Sequence, residues 1–76
     1  MDPTLANFID LEGGEAAETL RQAALDRRYG KRTLNFNCFD VIIDADAATV
    51  TLEDAIELDG RRTVIPLNDL VRDLSS

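Results

Sequence analysis

Seven carboxylates lie between Asp40 and Asp59 with no Lys or Arg among them: Asp40, Asp44, Asp46, Glu53, Asp54, Glu57 and Asp59. Side chains of this type serve three kinds of chemistry: coordination of a hard cation, paired acid–base catalysis, and docking on a basic surface. Asp44 and Asp46 at a turn, with Asp40 or Thr49 nearby, offer oxygen ligands. A calcium loop, however, also needs a Gly at its sixth position and a Glu at its twelfth. Counted from Asp44 those positions are Thr49 and Ala55, so the spacing fails at both. Carboxylate pairs of the glycosidase kind need a cleft as wide as a sugar. A chain of 76 residues with one helix-covered sheet has little material to build one. The expectation is no metal site, no catalytic carboxylates and no cofactor.

The chain contains no histidine, which removes the side chain best matched to proton transfer near neutral pH and the usual partner of a nucleophilic Ser or Cys. Cys38 is the single cysteine and sits in an apolar run, the setting of a buried structural thiol rather than a reactive one. The stretch "EGGE", 12–15, precedes a helix, but its flanking acids would repel a phosphate. An enzyme is therefore not expected. With one thiol there is no intrachain disulfide, and a reducing, cytoplasmic setting is the simplest expectation. The opening "MDPTLANFID" lacks the basic start and continuous apolar run of a secretory signal, and no segment approaches the roughly 20 apolar residues that span a bilayer.

The net charge is −7, from fifteen acidic and eight basic side chains; setting aside the seven acids of 40–59 leaves eight against eight. The imbalance is thus local. Direct nucleic-acid binding is disfavoured, because phosphate neutralisation needs a surplus of Lys and Arg on the contacting face. Arg27, Arg28, Lys31 and Arg32 read as a complement to the negative end of a helix, and Arg61 and Arg62 as surface partners for Glu57 or Asp59. Like charges on neighbouring strands repel. Solubility is one reason to carry such a cost and a docking face is another.

The leading expectation is a small non-enzymatic protein-binding domain whose seven carboxylates engage a basic, nucleic-acid-binding protein, standing in for phosphates. By analogy alone, small inhibitors, immunity proteins, antitoxins and phage anti-defence proteins work in this way. The competing expectation is a structural or assembly subunit that self-associates, for example as a homodimer, with its acids serving only solubility.

The elements that must position these residues can be read from periodicity. Asp2 caps a short helix that has Pro3 at its first position, places Leu5, Phe8 and Ile9 on one face, and ends at Gly13 and Gly14. "EAAETLRQAALDRRYG" predicts the main helix, closed by Gly30 in a left-handed cap. From Leu34 to Ile43 a single strand is expected, with a parity shift near Cys38 that implies a bulge or burial on both faces. "DADAAT" supplies a turn, and a strand from Thr49 alternates Val50, Leu52, Ile56 and Leu58 against Thr49, Thr51, Glu53 and Glu57. At Asp59–Gly60 two hairpin registers compete: a two-residue loop pairing Glu57 with Arg62, and a three-residue loop that sets Val64 on the face of Ile56, which burial favours. Pro66 closes the last strand. Leu67, Leu70, Val71 and Leu74 then form the apolar stripe of a final helix that covers the sheet. The fold class is α+β: one domain, 1–76, with a three-stranded antiparallel β-meander packed by helices in the order α-α-β-β-β-α.

Overall fold

Asp2 caps α1 (Pro3–Glu12). Its Oδ1 accepts from the Thr4 and Leu5 amides at 2.8 and 3.3 Å, and Pro3 stands in the first turn, where no helical partner exists for an N–H. The computed structural model describes residues 1–26, 28, 30–56 and 62–75. α1 stops at Gly13, whose φ of 95° is a conformation that side-chain-bearing residues rarely adopt, and α2 (Gly14–Leu25) follows at once.

α2 is shorter than its composition predicts. It ends at Leu25, where Asp26 turns extended. The Asp26 carboxylate accepts from the Arg28 guanidinium at 2.8 and 3.0 Å and from the Arg28 amide at 3.1 Å. A local aspartate loop thus replaces the expected left-handed glycine cap, and Gly30 leads directly into a strand without a positive φ. The last turn of α2 holds no base, so Arg28 and Lys31 lie beyond the helix; Arg27 is outside the described residues.

The class α+β holds, but among the described residues the sheet has four strands rather than three: β1 (Lys31–Asn35), β2 (Phe39–Asp44), β3 (Thr49–Asp54) and β4 (Arg62–Pro66). They form an antiparallel meander in the order β1-β2-β3-β4. The parity shift near Cys38 is neither a bulge nor two-sided burial. It is a chain reversal, closed by the Phe36 amide donating to the Phe39 carbonyl at 2.8 Å. The last connection also differs from expectation. Glu53 pairs with Arg62 and Thr51 with Val64, so neither proposed register applies. Val64 faces away from the core at 59% exposure, Ile65 takes the buried place, and Ile56 lies beyond the end of β3, 65% exposed. Leu58, Asp59 and Gly60 lie outside the described residues.

α3 (Leu67–Ser75) follows β4 directly and buries Leu67 and Leu70, with Val71 and Leu74 against the same core, as its stripe predicts. All three helices cover one face of the sheet. Phe39, Val41 and Ile43 of β2, Val50 and Leu52 of β3, and Ile65 of β4 meet Leu5, Phe8, Leu20, Ala23 and Ala24 in one cluster. Phe8 stands edge-on to Phe36 and Phe39, with centroids 5.0 and 5.6 Å away, a geometry worth about 0.5–1.5 kcal/mol per pair beyond area burial.

Glu12 ties α1 to the β1–β2 reversal. Its carboxylate accepts from three consecutive amides: Asn37 at 3.2 Å, Cys38 at 2.6 Å and Phe39 at 3.1 Å. Cys38 is half-buried against the core as a free thiol in this turn, rather than inside a strand.

Candidate functional site: the open face of the sheet

Because side chains alternate along a strand, the residues between the buried ones project from the face that no helix among the described residues covers. Register arranges them in three rows across the four strands. One row is Asn35, Asp40, Glu53 and Arg62; the middle row is Thr33, Ile42, Thr51 and Val64; the third is Lys31, Asp44, Thr49 and Pro66. Successive rows lie about 7 Å apart and neighbouring strands about 4.8 Å apart. The two central strands carry the acids and the two edge strands the bases.

Five of the seven carboxylates singled out from sequence are described, and three of them share this face. Asp40 and Glu53 are direct cross-strand neighbours. Glu53 reaches Arg62 at 3.2 Å, whereas the Asp40 side chain makes no hydrogen bond or ion pair among the described residues. Asp44 stands between Lys31 and Thr49, and its Oδ1 accepts the Ala47 amide at 3.1 Å at the start of the β2–β3 turn. The other two point elsewhere. Asp46 sits in that turn with Oδ2 packed against Gly30, where a Cβ would meet it at 2.9 Å. Asp54 lies on the helix side, where Oδ1 accepts the Ile56 amide at 2.9 Å. Glu57 and Asp59 are outside the described residues.

The two larger hollows described lie away from the middle of the open face. One, of about 550 Å³, lies between α2 and β1; another, of about 560 Å³, lies between α1 and the end of the sheet beside Phe39 and Asp54. Among the described residues no three metal-ligating side chains converge. The strongly shifted carboxylates are not on the open face either. Glu18 on α2 is held down to about 2 by the Arg21 guanidinium and the Gln22 amide, and Asp26 to about 2 by the Arg28 side chain and amide. This face can offer charge and shape: carboxylates at fixed spacing around a middle row in which Ile42 and Val64 alternate with Thr33 and Thr51.

The sequence pointed to Asp40, Asp44 and Glu53 but not to Lys31, Ile42, Val64 and Arg62, which complete the face. Lys31 comes from a strand that the parity shift concealed. Val64 and Arg62 depend on the β3–β4 register, which the long connection leaves unspecified. No helix among the described residues is long and apolar enough to cross a membrane. No family model matches the chain, and neither a curated protein nor a solved structure matches it.

Proposed function

We propose that this chain is a small non-enzymatic protein-binding domain, an inhibitor or neutraliser by type, that docks the open face of its sheet on a basic, nucleic-acid-binding protein. The observation that carries this reading is the side-by-side placement of Asp40 and Glu53, with Asp44 two rows away, on a face that no helix among the described residues covers. Like charges directly opposite on paired strands destabilise a sheet, and Asp40 lacks any cation among the described residues to offset this. A Lys/Arg surface would relieve that repulsion on binding, and charge complementarity of this kind gives fast, salt-sensitive association. The lone Cys38 suits a reducing, cytoplasmic setting.

Self-association through the same face is less well supported. A two-fold axis along the strands sets Asp40 against Glu53 of a second copy, and one across the strands sets it against Asp44. Both arrangements bring acids together.

The test is capture from native lysate on the immobilised protein at low and high salt, with two sets of variants. Asp40→Lys, Asp44→Lys and Glu53→Lys combined should abolish the salt-sensitive capture of a basic protein. Asp46→Lys with Asp54→Lys, away from the open face, should preserve it. Equal capture by both sets would refute the docking face.

A further inference from the structure

The two edges of the sheet are finished differently. The Phe36–Phe39 and Gly30–Ala45 hydrogen bonds set the phase of the β1–β2 ladder, so Arg32 and Leu34 direct their backbone groups at β2. Lys31, Thr33 and Asn35 then direct their N–H and C=O groups outward. On the opposite edge the Leu67–Ala48 bond sets the phase likewise, and Pro66 is among the outward residues. It has no N–H to offer, a common way to blunt an edge. β1 has no such block along its five residues.

The space beside β1 matches this edge. α2 stands off from β1 and leaves the hollow of about 550 Å³, where Ala23 and Leu25 of α2 and Leu34 of β1 form an apolar strip flanked by Thr19, Gln22 and Arg32. Leu25 is 46% exposed there. The acids on its rim are already engaged: Glu18 with Arg21 at 2.8 Å, and Asp26 with Arg28 at 2.8 Å. The hollow therefore presents an apolar strip between polar side chains, next to outward backbone groups at strand spacing.

We infer that the outer edge of β1, roofed by α2, is a strand-addition site for an extended peptide segment of a partner protein. The segment continues the antiparallel sheet as a fifth strand. A residue opposite Thr33 exchanges both backbone bonds with it, and the next residue, opposite Leu34, places an apolar side chain under Leu25. This mode draws affinity from main-chain bonds and specificity from the alternate side chains. Lys31 and Arg32 discourage indiscriminate pairing and favour a segment without basic residues opposite them. A second copy fits less well, because its own α2 lies on the same side of its β1 and the two helices would compete for the space above the joined strands.

The probe is a panel of peptides of about ten residues, the length of a long strand, alternating Thr with Val, Leu, Ile or Phe. Binding is followed by fluorescence anisotropy and by amide exchange. Bound peptide should slow exchange at Lys31, Thr33 and Asn35. Thr33→Pro removes an outward N–H and leaves the ladder to β2 untouched, as Pro66 does on the other edge, and should weaken binding about tenfold or more. Leu25→Lys, on an exposed helix end, should also weaken binding, and it decides the matter if Thr33→Pro does not fold. Asp40→Lys with Glu53→Lys should leave peptide binding unchanged, which separates this site from the open face. The inference fails if no peptide of the panel binds, if binding is indifferent to both variants, or if β1 instead joins two copies, seen as a concentration-dependent mass that Thr33→Pro abolishes.

Discussion

Glu12 does for the β1–β2 reversal what glycine or an Asn-Gly pair does in many short hairpins. The turn residues Asn37 and Cys38 take no positive φ, and their amides and that of Phe39 are satisfied by a carboxylate from the end of α1. Glu12→Ala removes the acceptor from all three, two of them part-buried, and should cost about 1–3 kcal/mol, as unsatisfied buried donors do. Glu12→Gln keeps one acceptor oxygen and turns its amide group toward a donor, so its cost should fall between wild type and Ala. Denaturant unfolding of the three proteins checks the order, and equal stabilities would show that water replaces the carboxylate without loss. Glu18 and Asp26 illustrate the opposite case, carboxylates whose partners are close in sequence and exposed. Arg21 and Arg28 bring their pKa values down to about 2. A lowered folded-state value means that the contribution is fully present above the ordinary carboxylate range and is lost as pH falls through that range toward 2. Carboxyl-carbon NMR should find both groups ionised at pH 3, and because both are exposed, Glu18→Gln should change stability at neutral pH very little.

At the scale of elements, the Asp40–Glu53 pair joins two central strands at a point where like charges meet. Asp40→Asn keeps the shape, removes one charge, and should stabilise the fold by about 0.2–1 kcal/mol, the range of cross-strand pair effects. The check is thermal unfolding alongside partner capture. A variant that is more stable and binds less would mark Asp40 as a residue kept for binding. The helices α1 and α3 were legible because their signals are local: an Asp-Pro start, and apolar residues at i, i+3, i+4 and i+7. The fourth strand was not. "LNFNCFDVII" contains no Gly or Pro, and the feature that stabilises its reversal is Glu12, 25 to 27 residues away. No pattern local to the hairpin can carry that information. Val64 misled for a related reason. A β-branched residue between Thr63 and Ile65 is as compatible with an uncovered sheet face as with the core, and only the register to Thr51 decides. The candidate site was half legible on the same grounds. Composition located the acids, whereas pairing chose which of them share a face.

For the whole molecule, seven excess negative charges lie on a body of 32 × 24 × 18 Å, and the ion pairs Glu18–Arg21, Asp26–Arg28 and Glu53–Arg62 are surface contacts. Two electrostatic effects then compete. Salt weakens the ion pairs, each worth about 0–1 kcal/mol, and it also screens the mutual repulsion of the excess charge, which opposes the compact state. With the Debye length falling from about 30 Å at 0.01 M to about 10 Å at 0.1 M, repulsion across the width of the protein is screened well before contacts of 3 Å are. The melting temperature should therefore rise over this range, by several degrees if about 1 kcal/mol is recovered in a domain of this size. Partner capture through the open face should weaken over the same range, because the attraction being screened is intermolecular. Asp40→Lys, Asp44→Lys and Glu53→Lys together cancel most of the net charge and should flatten both responses. A melting temperature that falls with salt in the wild type would mean that the acids of the open face are already compensated within the fold, which would remove the repulsion that a basic partner is proposed to relieve.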